Sequence, residues 1–174
     1  IIEIAVLCKP KVAILSVGNA LTVLGEPLDK DSFYNSNAIS LSARCIELGA
    51  EIIAIETANE DAQIIIEKLT HLHQKADVII TTGGLSRGDV IATLLLEKKL
   101  DTIFHEVALT PAKPTSLSRF NETLVLHLPR LPLGSMLGFE LLGVPLLKAL
   151  QHESNIIPRS YIQSNGTPFT CKEG

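Results

Sequence analysis

Short apolar runs alternate with segments of helical periodicity along residues 11–100, and this alternation restricts the possible folds more than any other feature of the sequence. Residues 11–18, 51–57 and 77–82 are rich in β-branched side chains and predict three buried strands. Apolar residues at helical spacing fill the intervals between these runs and predict helices. Strands joined by helices at such distances form right-handed β-α-β units. The chain is therefore predicted to be an α/β protein, with a three-layer, doubly wound, mostly parallel sheet and helices on both faces.

Polar residues at the expected ends support three helices in this region. The first helix is predicted over residues 36–48, with Asn35 or Ser36 as its cap and Gly49 as its terminator. Asn59 is predicted to cap the second helix. The third helix comes after the third strand, with predicted inward-facing residues Ile91, Leu94 and Leu95.

The pattern changes after residue 100. Two more strands are predicted over residues 102–109 and 123–128, joined by the polar segment 110–122. A final helix is predicted over residues 133–150. It is expected to be kinked at Pro145, because proline lacks the N–H that a helix interior needs.

The ends of the chain differ in composition from its middle, which predicts three parts. Residues 1–10 are predicted to be a strand entering from a preceding domain, residues 11–150 to be the domain itself, and residues 151–174 to be a linker or the stub of a following domain. The apolar stretch 131–147 is about as long as the shortest membrane spans. It contains Glu140, two prolines and three glycines, so it is interpreted as a buried helix.

The overall composition argues against several classes of partner. The net charge is −4 and no basic run occurs, whereas nucleic-acid backbones are bound by clustered Lys and Arg. Three widely spaced cysteines without a Cys-x-x-Cys pair indicate free thiols in a reducing compartment and disfavour zinc. No signal peptide is visible. The protein is therefore predicted to be cytoplasmic, with neither nucleic acid nor membrane as a partner.

Three loops are predicted to meet at the carboxyl ends of the strands, where ligands bind in open α/β sheets. One of them reads Thr-Thr-Gly-Gly-Leu-Ser-Arg-Gly-Asp over residues 81–89. Gly83 and Gly84 allow the backbone to approach a ligand closely and to adopt positive φ. Together with the hydroxyls of Thr82 and Ser86 and the amides that begin the next helix, they predict a cradle for a phosphate.

Asp89 and the segment 35–37, which lie near these loops, each have two interpretations. Asp89 can hold a Mg²⁺ ion against a bound phosphate, because hard cations prefer oxygen ligands. Alternatively, the glycines only turn the chain and Asp89 only caps the helix. Asn35, Ser36 and Asn37 either hydrogen-bond a ligand across the first loop or serve as helix caps. The residues alone leave both choices open.

Several short blocks occur in one order along the chain: KVAILSVGNAL, GEPL, FYNSNA, ELGAEI, ADVIITTGGLSRGD, FHEVALTPAKP and LHLPRLPLGSMLGFEL. Together they resemble the molybdopterin-binding domain of MoeA-type molybdopterin molybdenumtransferases, which is related to MogA and to the E domain of gephyrin. The resemblance extends from residue 1 to residue 150 and is more specific than any one block.

This resemblance implies a reaction, a cofactor and partners. MoeA-like enzymes take adenylylated molybdopterin, bind molybdate and release AMP as the metal is inserted, with Mg²⁺ or a similar ion assisting. Such chemistry needs a phosphate cradle, carboxylates for the cation and an oxyanion pocket for molybdate. The resemblance further implies a homo-oligomer and a MogA-like partner.

Site residues are carried over by position. Residues 83–89 match Gly-Gly-x-Ser-x-Gly-Asp, residues 35–37 match (Asp/Asn)-Ser-Asn, and Lys113 lies in a partial match to Lys-Pro-Gly-Lys-Pro, where it can pair with phosphate or molybdate. The resemblance implies that Asp89 is catalytic and binds the metal. It also implies that the ligand is bound by Gly18, Asn35, Ser36, Asn37, Thr82, Gly83, Gly84, Ser86, Gly88 and Lys113.

Other family positions carry different residues in this chain. Asn19 and Ala20 replace the two acids of Gly-Asp-Glu-Leu, so the negative charge that a hard cation prefers is missing. Arg130 and Leu131 stand in the turn that reads Leu-Pro-Gly-Asn-Pro-Val-Ser in the family, and they are predicted to crowd it. Loss of one charge-stabilising group costs about 10²-fold or more in rate. Weak or absent molybdenum insertion is therefore expected.

Two further functions compete with this interpretation. A non-catalytic binding or oligomerisation domain on the same fold is the first alternative. A CinA-like nucleotide pyrophosphatase domain is the second, because its loop also resembles Thr-Gly-Gly-Leu. Residues 127–150 match the MoeA type better, which ranks the CinA type third.

Overall fold

The computed structural model describes residues 8–154 and 156. Six strands of this part form one sheet, in the order β4-β1-β5-β8-β7-β6, while β2 and β3 pair separately. The strands β4, β1, β5 and β8 are parallel, whereas β7 and β6 are each antiparallel to the preceding neighbour in that order. The strand bounds are β1 Lys11–Val17, β2 Leu21–Thr22, β3 Phe33–Tyr34, β4 Glu51–Ala58, β5 Val78–Thr82, β6 Asp101–Phe104, β7 Ser116–Phe120 and β8 Thr123–Leu128.

Helices cover both faces of this sheet. Helices α2 and α3 pack into one core cluster, in which Ile65, Leu69 and Ile91 are fully buried. Helix α1 and the last helix pack into a second cluster on the opposite face, around Leu41 and Phe139. The predicted three-layer, doubly wound, mostly parallel sheet is confirmed. The helix bounds are α1 Ser36–Glu47, α2 Ala62–Leu72, α3 Val90–Leu96, and a last helix made of α4 Pro132–Gly138, a π-helical turn Phe139–Gly143 and α5 Val144–Leu150.

The strand order places a switch point between β1 and β5. The chain runs from β1 through α1 to β4 on one side, and then through α2 to β5 on the other side. Ser16 near the end of β1 is paired with Thr82 at the end of β5, and Thr82 is paired with Leu128 at the end of β8. The loops after these three strands therefore begin side by side. In open α/β sheets, ligands bind where loops diverge in this way.

The edge of the sheet beyond β8 differs from the prediction. The strand predicted over residues 102–109 ends after four residues, because Glu106 has a positive φ of 65° and its N–H donates to Ser116 Oγ over 3.3 Å. The segment 110–122, predicted as a polar connection, contains β7. Ser116 and Ser118 in β7 are fully buried, so the strand lacks the apolar alternation by which a strand is recognised.

The last helix begins at Pro132, one residue earlier than predicted. Its irregularity lies before Pro145, in the π-helical turn, where the Val144 N–H donates to the carbonyl of Phe139. Gly143 makes room for the Phe139 ring, since an added Cβ would lie 2.4 Å from it. In the described part of the chain, this helix alone is long and apolar enough to cross a membrane. Its buried side chains lie in the second core cluster, as those of a core helix do.

The helix ends agree with the prediction at α1 and differ at α2. Asn35 caps α1, and Gly49 follows that helix with a φ of 84°. Asp61, not Asn59, caps α2, because its Oδ1 accepts two N–H groups of the first turn at 2.8 and 3.1 Å. Ile91, Leu94 and Leu95 face inward from α3 as predicted.

Part of the predicted domain organisation falls outside the described residues. Residues 1–7, 155 and 157–174 are not among them. Most of the predicted entering strand and most of the predicted linker lie there. The domain boundaries therefore stay predictions.

Candidate functional site

The glycine-rich loop after β5 has a buried half. Gly83 and Gly84 are buried, with φ values of 92° and 70°. An added Cβ would lie 2.3 Å from the Val17 carbonyl oxygen at Gly83 and 2.9 Å from the Ile91 side chain at Gly84. The Gly83 N–H donates to the carbonyl of Leu128 over 3.1 Å. The two glycines are therefore required by contacts inside the protein, and their approach to a ligand stays a prediction.

The exposed half of this loop, residues 86–89, is the part that a ligand can reach. Ser86 and Gly88 are exposed and Asp89 is half-buried. The Asp89 carboxylate accepts the Ser86 N–H over 3.0 Å, so it closes the loop and makes no capping bond to α3. A groove of about 400 Å³ opens here between the start of α2 and the length of α3, with Glu60, Gly88, Asp89 and Lys99 in its walls. This volume is within the range of small-molecule sites.

Asn37 connects the loops after β5 and β8. Its Nδ2 donates to Thr82 Oγ1 and to the carbonyl of Arg130, each over 2.8 Å. Thr82 is buried, and its hydroxyl donates to the carbonyl of Pro129 over 3.2 Å. Asn37, Thr82 and Arg130, here named the Asn37 cluster, thus hold the start of α1 and two loops together. The Thr82 hydroxyl therefore positions the loops, and its contact with a ligand stays a prediction.

The other residues predicted around the first loop are mostly structural. Asn35 Oδ1 accepts the Ser16 hydroxyl over 3.0 Å as well as an N–H of α1, so it fastens the helix to β1. The Gly18 N–H donates to the carbonyl of Ala58 over 3.0 Å and joins the loop after β1 to β4. Ser36 is exposed at the start of α1. The capping interpretation is confirmed for Asn35.

Arg130 lies across the carboxyl edge, from the loop after β8 to the loop after β4. Its guanidinium forms an ion pair with the carboxylate of Glu60. The Glu60 N–H in turn donates to Asn19 Oδ1 over 2.9 Å. The Arg130 side chain is 61% exposed and Leu131 is 68% exposed. Both side chains therefore stand at the surface of the edge, and the prediction that they crowd the loop against a ligand stays a prediction.

Lys113 lies on the loop between β6 and β7. Its Nζ is 3.7 Å from Glu106 Oε2, and both side chains are substantially exposed. This loop packs against the start of α4, where a Cβ on Gly134 would lie 2.8 Å from the carbonyl of Pro111. Within residues 8–154, no hydrogen bond or ion pair joins Lys113 to the Asn37 cluster. A contact between Lys113 and phosphate or molybdate stays a prediction.

The carboxylates of the edge do not converge. Among residues 8–154 and 156, no group of three or more His, Cys, Asp or Glu side chains is placed to hold a metal ion. Asp89 is engaged with Ser86, Glu60 is paired with Arg130, and Glu56 accepts a Lys68 hydrogen bond. The described carboxylates therefore do not preassemble a site for the Mg²⁺ ion that the resemblance implies, and an ion at Asp89 would need phosphate and water to complete its ligands.

A buried histidine lies one residue back from the ends of β5 and β8. His127 Nδ1 is 2.8 Å from Thr81 Oγ1, and Nε2 is 2.8 Å from Ser118 Oγ. Burial, aided by the charge of His105, lowers the pKa of His127 to about 3, so the ring is neutral near pH 7. Sequence reasoning missed this polar layer, for which the alternate serines of β7 were the available signal.

Residues 13–149 match the profile of one family, which is described as a probable molybdopterin binding domain. The match runs from β1 into the last helix. The chain belongs to this molybdopterin-binding domain family. A molybdopterin molybdenumtransferase of Bacillus subtilis (strain 168) is 31% identical over 148 residues, which make up 84% of this chain and 34% of that relative. The MoeA-type resemblance is thereby confirmed, and this family domain spans about a third of the length of that curated relative.

Solved structures agree with this family membership. The molybdopterin biosynthesis MoeA protein from Pyrococcus horikoshii superposes with a TM-score of 0.75 at 28% identity, covering 84% of this family domain and 37% of that chain. A CinA protein from Thermoplasma acidophilum superposes with a TM-score of 0.57 at 16% identity, over 86% of this chain and 99% of that one. The second likeness shows the fold alone. The chain is thus a domain of the molybdenum cofactor biosynthesis type.

Proposed function

We propose that this domain binds molybdopterin or adenylylated molybdopterin at the carboxyl edge of its sheet. The observation that carries the proposal is the groove of about 400 Å³ beside the exposed half of the glycine-rich loop. Gly88 and Asp89 in its wall belong to the loop after β5, a strand at the switch point, where ligands bind in sheets of this kind. Relatives named molybdopterin molybdenumtransferase support the class of ligand.

Each part of the edge has its own task in this proposal. Ser86 and Gly88 offer a hydroxyl and an unobstructed backbone to a phosphate, since nothing lies within 4 Å of a Cβ built on Gly88. The Asp89 carboxylate holds the loop closed through the Ser86 N–H. The Asn37 cluster sets the distance between the two loops that border the ligand. Lys113 supplies a positive charge to phosphate or molybdate.

Molybdenum insertion by this domain is proposed to be weak or absent. Asn19 and Ala20 stand where the resemblance implies two acids, and Asn19 is used to hold Glu60. Asp89 has no second carboxylate beside it among the described residues. Loss of one charge-stabilising group costs about 10²-fold or more in rate. No catalytic step through Mg²⁺ is assigned, because the described residues do not preassemble a cluster of carboxylates for that ion.

A non-catalytic binding domain is the second candidate, and the dispersed carboxylates favour it. The CinA-like pyrophosphatase is supported by the fold alone. The proposal places the domain, residues 11–150, in the cytoplasm as a homo-oligomer with a MogA-like partner. The proposal keeps residues 1–10 as an entering strand and residues 151–174 as a linker or the stub of a following domain. Neither nucleic acid nor a membrane takes part.

Two measurements test the proposed function. Calorimetric titration of the purified protein with molybdopterin is expected to show saturable binding, and its absence would refute the proposal. Molybdate-dependent release of AMP from adenylylated molybdopterin is then measured for the unaltered protein and for Asn19→Asp combined with Ala20→Glu. Asn121→Asp combined with Ala149→Glu makes the same change of charge at exposed positions outside the edge.

The outcomes separate the candidates. Binding without AMP release in any of the three proteins supports a binding domain. Release that rises only in the first double variant supports a degraded enzyme. Full release by the unaltered protein contradicts the proposed loss of catalysis. Hydrolysis of a dinucleotide pyrophosphate by the unaltered protein would favour the CinA-like alternative.

A further inference from the structure

We infer that Arg130 is the resident cation of this site and binds the phosphate of the ligand directly, without a metal ion. The inference rests on the proposed function and adds to it the group that recognises the anion. Ligand phosphate and Glu60 compete for the same guanidinium. The ion pair of Arg130 and Glu60 is then the resting state of the site, and it opens when the anion arrives.

The two ends of Arg130 are held differently. Its carbonyl accepts the Asn37 Nδ2 hydrogen bond of 2.8 Å, which fixes the backbone beside Thr82 and the loop after β5. Its side chain is 61% exposed and has a single ion-pair partner, Glu60, among the described residues. The guanidinium is therefore anchored near the loops, yet its head can change partner. Its planar fork binds a phosphate in the same two-pronged geometry as a carboxylate.

Glu60 connects this ion pair with the groove. The residue lines the groove together with Gly88 and Asp89, and its carboxylate pairs with Arg130, so the guanidinium adjoins the Glu60 end of the groove. The Glu60 backbone is held separately, by its N–H bond of 2.9 Å to Asn19 Oδ1, and the loop after β4 keeps its place when the carboxylate is released. Exposed ion pairs contribute little net stability, because water and salt screen them. The exchange of Glu60 for phosphate is therefore cheap.

Other cations lie near the edge: Lys99 lines the groove and pairs with Glu97, Lys113 pairs with Glu106, and Arg87 is exposed in the loop. Arg130 differs from them because Asn37 anchors its backbone between the loops and its partner Glu60 lines the groove.

The Asp61 carboxylate is used by N–H groups of α2, and the Asp89 carboxylate by the Ser86 N–H. No metal-holding cluster occurs within residues 8–154 and 156. A phosphate entering beside these carboxylates needs a counter-charge, and a guanidinium that is already in place supplies it without recruiting an ion.

The test compares four proteins: the unaltered chain, Arg130→Gln, Glu60→Gln and Arg119→Gln. Arg119 is an exposed arginine on β7 and outside the site, so it is the matched control. Titration calorimetry is run with molybdopterin, with AMP and with molybdate, each in EDTA and in Mg²⁺. Thermal unfolding confirms that all four proteins are folded.

Arg130→Gln is expected to weaken molybdopterin binding by about tenfold or more, which corresponds to the loss of a charge-assisted hydrogen bond. Glu60→Gln is expected to strengthen it several-fold, because the competing carboxylate is gone. Arg119→Gln and the exchange of EDTA for Mg²⁺ are expected to change nothing. If the affinity for AMP changes across the four proteins as that for molybdopterin does, the phosphate is the recognised group. If only the affinity for molybdate changes in this way, that assignment is overturned.

Failure of this inference is distinct from failure of the proposed function. Molybdopterin that binds equally well to Arg130→Gln and to the unaltered protein overturns the role of Arg130 and leaves the function standing. Molybdopterin binding that disappears in EDTA and returns with Mg²⁺ also overturns the role of Arg130, because a metal ion would then supply the counter-charge, and it too leaves the proposed function standing. Absence of molybdopterin binding to the unaltered protein overturns both.

Discussion

Acidification is expected to destabilise this domain through His127. The ring is fully buried, and both nitrogens are hydrogen-bonded to the hydroxyls of Thr81 and Ser118. Burial disfavours the charged ring, the charge of His105 acts in the same direction, and the pKa of His127 falls to about 3. An unfolded chain returns this pKa to its ordinary value of 6.5. Between these pKa values the unfolded state binds a proton that the folded state does not, so stability falls as the pH falls below 6.5.

The size of the effect follows from the same two pKa values. Each pH unit in the window between them removes about 1.4 kcal/mol from the free energy of unfolding. The loss is about 2 kcal/mol at pH 5 and approaches about 5 kcal/mol near pH 3. Domains of ordinary stability unfold with about 5–15 kcal/mol, so the change at pH 5 is a measurable fraction of the total.

Urea unfolding at pH 7, 6 and 5 measures this effect. The unaltered protein and the control His71→Gln, which changes an exposed histidine, are expected to lose about 2 kcal/mol between pH 7 and pH 5. His127→Gln is expected to lose much less over the same range. An NMR titration of the His127 ring gives a second measurement that needs no variant. The reasoning would be refuted if His127→Gln and the unaltered protein lost the same free energy of unfolding per pH unit. A titration of His127 near pH 6.5 in the folded protein would refute it as well.

Two glycines and two cysteines give further tests. Gly83→Ala is expected to lower the free energy of unfolding in urea by about 2–3 kcal/mol or more, because the methyl group would lie 2.3 Å from the Val17 carbonyl. Gly88→Ala, also at positive φ but with open space around it, should cost only about 1 kcal/mol, and equal losses would contradict the packing argument. Alkylation of the folded protein followed by peptide mapping should label exposed Cys8 and spare Cys45, whose pKa burial raises to about 12. Labelling of both at similar rates would show that the Cys45 thiol is accessible.

The parallel part of the sheet is predictable from the sequence, and the antiparallel part is not. Strands β1, β4 and β5 are apolar runs separated by helices, and such runs have few other ways to be buried. Strand β7 carries Ser116 and Ser118 on the face that meets His127, so a polar layer replaces the apolar pattern. Strands β2 and β3 have two residues each, which is too short for any periodicity to appear.

The location of the candidate site is also predictable, whereas its contacts are not. The rule for open α/β sheets places the loops after β1, β5 and β8 together. It does not say what each loop residue touches. Gly83 contacts Val17, and Asn37 binds both Thr82 and Arg130, across gaps of 45 and 93 residues. Such pairings depend on the register of strands far apart in the chain, which local pattern does not contain.

Asn19, which replaces one of the acids of the family pattern, is linked to Arg130 through Glu60. Asn19 Oδ1 accepts the Glu60 N–H, and the Glu60 carboxylate pairs with Arg130. A carboxylate introduced at position 19 would still accept that N–H, but it would also place a second negative charge near Glu60, where Arg130 is the counter-charge. Restoring the acids at positions 19 and 20 while Arg130 remains therefore adds negative charge beside the ion pair of Arg130 and Glu60, and it does not create an empty cation site. The AMP-release assay for a degraded enzyme therefore includes Arg130→Gln together with the two restored acids as well as the restored acids alone, because Arg130 is the counter-charge already present at this edge.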